Sequence, residues 1–199
     1  MDADYTIELG KEDPVLDFPW KDPSGLVSYV DIKKHPELLS TIVETTKLPA
    51  LGEFLSALNS STSLLETAKC DVWETEELTP DEEVFGASHK FASYVDLVFS
   101  LNVVDPMGNP HPNRFAFSSH ERFAKQVIEL LQKAPDLATS CELCVRRCFY
   151  EKSEGIQEGF YFTLYVNGYG DDEQAARQNW EIGLRLVRHA LLQLSSRPA

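Results

Sequence analysis

From Glu158 to Leu194 the chain sets out a strand, a turn and one long helix, and this stretch limits the fold more than any other. Gly159-Phe-Tyr-Phe-Thr-Leu-Tyr-Val-Asn167 is aromatic and β-branched, the composition of a pleated, half-buried strand. Gly168-Tyr-Gly170 predicts a tight turn with positive φ. Asp171, with Gln174 three residues on, predicts a capping box. Beyond it Ala176, Trp180, Gly183, Leu184, Val187, Ala190, Leu191 and Leu194 recur at helical spacing. A continuous apolar helix face needs a sheet to lie on, and the strand before it supplies one edge of that sheet.

The upstream chain supplies the rest. Residues 63–75 alternate with a period of two, placing Ala68, Cys70 and Val72 on one face and Lys69, Asp71 and Trp73 on the other. A second strand at about Lys90–Asn102 sets Phe91, Ser93, Val95, Leu97 and Phe99 opposite Tyr94, Asp96 and Val98. Ser118 with Glu121 predicts the start of a helix over 119–133, and a third strand follows at about 140–152. The order is hairpin, helix, hairpin, helix. Tyr94 and Leu97 answer Tyr161 and Leu164, which suggests duplicated ββα halves. Pro36 opens a helix pair over 37–59, with stripes Leu38, Leu39, Ile42, Val43 and Leu51, Phe54, Leu55, Leu58. Residues 1–36 hold Pro14, Pro19, Pro23 and Pro36 but also Leu16, Phe18 and Trp20, so they predict an irregular arm packed on the body, with a short strand at Val27–Ile32. The expectation is a single α+β domain over 1–199. Its mainly antiparallel sheet has at least four strands, with helices on one face and a helix pair before it.

Charge narrows the function. The net charge is −14, and residues 1–85 carry 19 acids against 6 bases, while 86–199 carry 13 against 12. An acidic half argues against nucleic acid or an anionic membrane as partner, because both demand clustered Lys and Arg. The start of the chain lacks a signal-peptide pattern and no apolar run is long enough to span a bilayer, so a cytoplasmic location with reduced cysteines is expected.

The candidate chemistry is sparse. Cys141, Cys144 and Cys148, with Cys70 upstream, are the soft ligands that zinc or an iron–sulfur cluster prefers. On a strand, however, Cys141 points to one face while Cys144 and Cys148 point to the other, so core cysteines and no metal or cofactor are expected. The glycines before the last helix lack a following Lys-Ser/Thr, and Asp171, Asp172 and Glu173 would repel a phosphate there. In the long loop over 104–117, His111 with Arg114, and His120 just beyond, form the remaining cluster of note.

A surface remains. The sheet face opposite the helices is expected to carry Lys69, Asp71, Trp73, Tyr94, Asp96, Arg146, Tyr150, Tyr161, Tyr165 and Asn167. One Trp and four Tyr on one face is interface composition. The arm or a second subunit is expected to occlude it. The reading that follows is a non-catalytic, acidic protein-interaction or adaptor protein, binding a protein partner or itself as a homodimer. Its alternative is a small-molecule-binding protein or enzyme that uses this face and the 104–117 loop.

Overall fold

The computed structural model describes residues 1–79, 82, 86–100 and 114–195. It is an α+β structure built on one mixed sheet of six strands. In chain order these are β1 (Asp2–Ile7), β2 (Val15–Phe18), β3 (Leu65–Thr75), β4 (His89–Phe99), β5 (Thr139–Lys152) and β6 (Gly155–Gly170). The helices are a 3-10 turn at Pro36–Thr41, then α1 (Val43–Lys47), α2 (Pro49–Leu58), α3 (Phe117–Leu131) and α4 (Glu173–Ser195). The sheet order is β1-β5-β6-β4-β3, with β2 also pairing β5. No helix among the described residues is long and apolar enough to cross a membrane.

The four long strands pair antiparallel, as the alternation predicts. The sheet is nevertheless mixed, because β1 and β2 run parallel to β5 along its outer edge. These two strands come from the segment expected to be irregular. The expected strand at Val27–Ile32 is absent; an isolated bridge joins Lys21 to Ser28 there. Asp2-Ala-Asp-Tyr-Thr-Ile7 carries too little apolar surface to announce itself, yet Ala3, Tyr5 and Ile7 register opposite Cys141, Leu143 and Val145. A long-range partner decides this pairing, and no local propensity encodes it.

The helices lie on one side. α2 buries Leu51, Phe54, Leu55 and Leu58, whereas the first half of the expected helix pair breaks into the 3-10 turn and the short α1, leaving Val43 59% exposed. The α3 N-cap is Ala116 with no side-chain cap bond, so the predicted Ser118–Glu121 box is not formed. At α4 the cap falls one residue later than predicted: Asp172 Oδ1 accepts from the Ala175 amide at 2.7 Å.

Gly168 and Gly170 are not turn residues. They close β6, and positive φ occurs at Gly25, Gly86 and Gly155 instead. Their reason is contact: a Cβ on Gly168 would lie 2.1 Å from the Trp180 amide nitrogen, and one on Gly170 2.4 Å from that of Ala176. Helix backbone rests directly on strand backbone. Trp180, fully buried, packs on Phe91 at 4.8 Å between ring centroids and donates Nε1–H to Ser93 Oγ at 2.8 Å.

The β3–β4 register slips between Thr67 and Lys69. This bulge overturns one assignment: Ala68 joins the cluster on the face away from the helices, with Leu16, Phe18, Val98, Cys148, Tyr150 and Tyr161. The main core lies on the other face, where Val95, Leu97, Leu143, Val145, Phe162 and Leu164 meet the helices.

Trp180→Ala should lower stability by roughly 3–5 kcal/mol, the cost of deleting a large buried aromatic, read from the denaturant midpoint. Gly168→Ala should cost more than an ordinary surface substitution, because the clash is with backbone and no rotamer change relieves it. A midpoint unmoved by Gly168→Ala would show that α4 does not rest on β6 in this way.

Candidate functional site

The face away from the helices divides into a covered half and an open half. Over the covered half the arm folds back from β2. Phe18 packs edge-on against Tyr29 and Tyr150, at 4.9 and 5.9 Å, and Phe115 meets Tyr150 at 4.9 Å. Tyr150 and Tyr161, both expected on a binding face, are therefore buried. Tyr150 donates its hydroxyl to Phe160 O at 2.6 Å. These two tyrosines are core residues of a second, smaller core.

The open half is organised in cross-strand rows. One row runs Asp71, Tyr94, Tyr165, Glu142, Asp4 across β3, β4, β6, β5 and β1. The row above it places Trp73, Ala92, Asn167, Ser140 and Asp2 side by side. Trp73, 38% exposed, lies 6.4 Å from the Tyr94 ring, which lies 6.2 Å from Tyr165. Asp71, Asp2 and Asp4 are exposed, and Tyr94, Tyr165, Asn167 and Glu142 are half-buried. The result is an aromatic strip flanked by acids.

Between the halves lies a buried polar line. Asp96 is 5% exposed, and its Oδ1 accepts from Thr163 Oγ1 at 2.7 Å. Thr163 in turn accepts from Arg146 Nη1 at 2.8 Å, and Arg146 Nε donates to Glu8 Oε2 at 2.7 Å. Glu8 reaches Arg146 because the edge is interrupted: Ile7 pairs with Val145 and Val15 with Arg147, so residues 8–14 loop out beside Arg146. Lys69, opposite Asp96, lies over the rings of Trp20 at 5.2 Å and Tyr94 at 5.6 Å.

Burial pushes the Asp96 carboxyl up to about 6, against the pull of the Thr163 hydroxyl and the Lys69 and Arg146 charges. Burial also opposes the Arg146 charge, but the hydrogen bonds to Glu8 and Tyr165, with the neighbouring Tyr165 and Cys144 groups, together outweigh it and raise its pKa. The phenol of Tyr94 is raised by burial and then by Asp96.

The remaining candidates scatter. Cys141 faces the helices while Cys144 and Cys148 face the other way, and among the described residues no group of three or more His, Cys, Asp or Glu is placed to hold a metal. Burial pushes the thiols of Cys144 up to about 11 and those of Cys70 and Cys148 up to about 12, so all three stay protonated near neutral pH. His111 lies outside the described residues. Arg114 donates to Ser100 O at 3.3 Å and sits over the Phe115 ring. His120 is fully buried among Phe99, Phe160 and Phe162, with Nδ1 3.0 Å from Ala116 O and a pKa pushed down to about 4 by burial. It is a core histidine, packed from α3 among phenylalanines of β4 and β6.

Sequence reasoning missed Glu8, Glu142, Asp4 and Thr163 on this face, and Trp20 beside it. Glu142 and Thr163 were legible from strand parity alone. Asp4 and Glu8 were not, because β1 went unrecognised. The chain matches no known protein family, no curated protein and no solved structure.

The buried carboxyl gives a test of this geometry. In the folded protein Asp96 holds its proton to about pH 6, whereas unfolded it releases it near the ordinary aspartate value of 3.8. Across that window the folded state binds the extra proton, so this group's contribution to stability falls as pH rises. Asp96→Asn keeps an acceptor for Thr163 and removes the buried charge. It should be more stable than the parent above pH 6, on the order of 3 kcal/mol at pH 7, with the gain gone below about pH 4. Equal midpoints at pH 7 would mean that Lys69 and Arg146 fully offset the burial.

Proposed function

We propose that the protein is a non-catalytic binding protein whose open half-face takes a cationic protein partner. The observation that carries this reading is the row Asp71–Tyr94–Tyr165–Glu142–Asp4, with adjacent aromatic rings at its middle and carboxylates at both ends. Aromatic anchors ringed by polar groups are what a protein interface uses, and the acids select the sign of the partner. The arm has already covered the other half, so the open half is the aromatic surface left over. The basic groups nearby are engaged within the fold: Arg146 with Glu8 and Thr163, Lys90 with Glu82, and Lys69 over Trp20 and Tyr94.

A second copy is a poorer occupant. It would bring the same acids towards one another on a chain of net charge −14, and like charges facing across an interface oppose association. Catalysis finds less support, because the polar groups of the buried line satisfy one another and the thiols are held protonated.

The duplication suggested by sequence gains support from the register. β3–β4–α3 and β5–β6–α4 share one order, and β4 and β6 meet antiparallel at the sheet centre. A twofold axis through the Asp96–Thr163 pair would carry Tyr94 onto Tyr161 and Leu97 onto Leu164. Those are the residues that answer one another in sequence. We read the whole as one domain on a shared sheet.

The binding test is a titration with a leucine- and lysine-rich helical peptide at low and high salt. Trp73→Ala and Tyr165→Ala should each weaken binding about tenfold, as truncating an interface anchor does, and added salt should weaken it further. Affinity indifferent to both substitutions and to salt would sink the reading. Light scattering over micromolar concentrations tests the other occupant: a dimer abolished by Tyr165→Ala would replace the foreign partner with a second copy.

A further inference from the structure

The free edge of β3 lies beside that open face and differs along its length. Ser100 N donates to Leu64 O at 2.8 Å, which sets the phase of the ladder: Leu64 and Glu66 turn their backbone groups to β4, and Leu65 and Thr67 turn theirs outward. Both outward positions are occupied by side chains. Lys33 Nζ donates to Leu65 O at 2.8 Å, and to Ser60 O and Ser63 O at 3.0 and 2.9 Å. Asn59 Oδ1 accepts from Thr67 N at 3.1 Å. This half of the edge is closed to pairing.

The bulge after Thr67 shifts the phase by one residue, so Cys70, Val72 and Glu74 face outward beyond it. Val72 N turns to the carboxylate of Asp71 at 2.8 Å. No side chain among the described residues is bonded to the outward groups of Cys70 and Glu74. At the bulge and as far as Cys70 and Asp71 the edge borders a cleft of ≈ 480 Å³, walled by Val27 and Val30 from the arm and Ile42 and Val43 from the start of α1, with Leu55 beneath. Its rim carries unusual apolar exposure for a surface: Val27 is 57% exposed and Val43 59%. Glu44 and Asp71 supply negative charge on its two sides, while Lys69 is held over Trp20 and Tyr94.

We propose that this cleft is the entrance of a strand-docking groove: an extended segment of a partner protein, alternating apolar and basic residues, seats in the cleft at Cys70 and adds to the sheet along the outward edge towards Glu74. Main-chain bonds to the outward groups hold the segment, and the two sides of the groove read alternate side chains. Residues pointing to the helix side meet Ile42, Val43 and Leu55. Those pointing the other way pass along Asp71, where a basic side chain finds a carboxylate, beside the Trp20 and Tyr94 rings that Lys69 already covers. The stretch from Cys70 to Glu74 spans about 13 Å, room for a short segment only. The groove stands on the ladder and the cleft, independently of a partner on the open face.

The experiment is a ¹H–¹⁵N titration of the full chain with a short blocked peptide that alternates valine and lysine. The amides of Cys70, Val72 and Glu74 should shift, and those of Cys70 and Glu74 should exchange more slowly with solvent. N-methylating every second peptide amide in the edge-facing phase should weaken binding at least about tenfold through lost backbone bonds, and methylating the other phase should not. Val27→Asp and Val43→Asp, both at exposed positions that leave the fold intact, should each weaken it about tenfold through lost apolar contact. Equal affinity of the two methylated peptides, or no shift at these amides at millimolar peptide, overturns the groove. Shifts confined to Tyr94 and Tyr165 also overturn it, while leaving the open-face reading in place.

Discussion

The fold depends on the approach of α4 to the end of β6. Trp180 fills the space above Phe91 and Ser93 only because Gly168 and Gly170 let the helix backbone come down onto the strand. A side chain at either glycine would lift the helix, and with it the seat of α2, which packs on α4, and of α3 beside it. Interiors pack like crystals, so one lifted contact opens space that the neighbours cannot refill. The central antiparallel pair β4–β6 is thus pinned from one side by a single tryptophan and two missing side chains.

The other side of the sheet is shaped by the first thirty or so residues. By lining the outer edge of β5 in two parallel pieces, the arm protects that edge from further pairing and carries Leu16, Phe18 and Trp20 under the sheet. The gap between the two pieces lets Glu8 reach Arg146. The covered half then resembles a core, and the open half keeps its rings and acids in solvent. A line of buried hydrogen bonds from Asp96 through Thr163 and Arg146 to Glu8 separates the two. Such a line is costly to desolvate and satisfied only in one register, which makes it a device for specifying the pairing of β1, β5, β6 and β4.

Edge protection also explains the asymmetry of β3. Lys33 and Asn59 spend polar side chains on main-chain groups where a hydrophobic wall would have invited another strand. Past the bulge Asp71 takes the Val72 amide, while the outward groups of Cys70 and Glu74 carry no side-chain bond among the described residues, and the cleft lies beside the bulge.

The sequence by itself determined the parts governed by local period and by burial. Four long strands, the α3 and α4 helices and the apolar face of each were legible, because alternation and 3.6-residue spacing report which side of an element meets the core. The parity of β5 separated Cys141 from Cys144 and Cys148, and that of β4 and β6 placed Tyr94 and Tyr165 together on the far face. Only the tertiary structure decided the rest. Asp2–Ile7 becomes a strand through its partner β5, and nothing in its own composition compels it. The bulge at Ala68 follows from the fit of β3 to β4, so strict alternation sent that residue to the wrong face. Gly168 and Gly170 look like turn glycines until the helix above them is known, since close approach and positive φ ask for the same residue. Tyr150 and Tyr161 were placed on the proper face, yet whether a face is a surface depends on what folds over it, and that is a property of the whole chain.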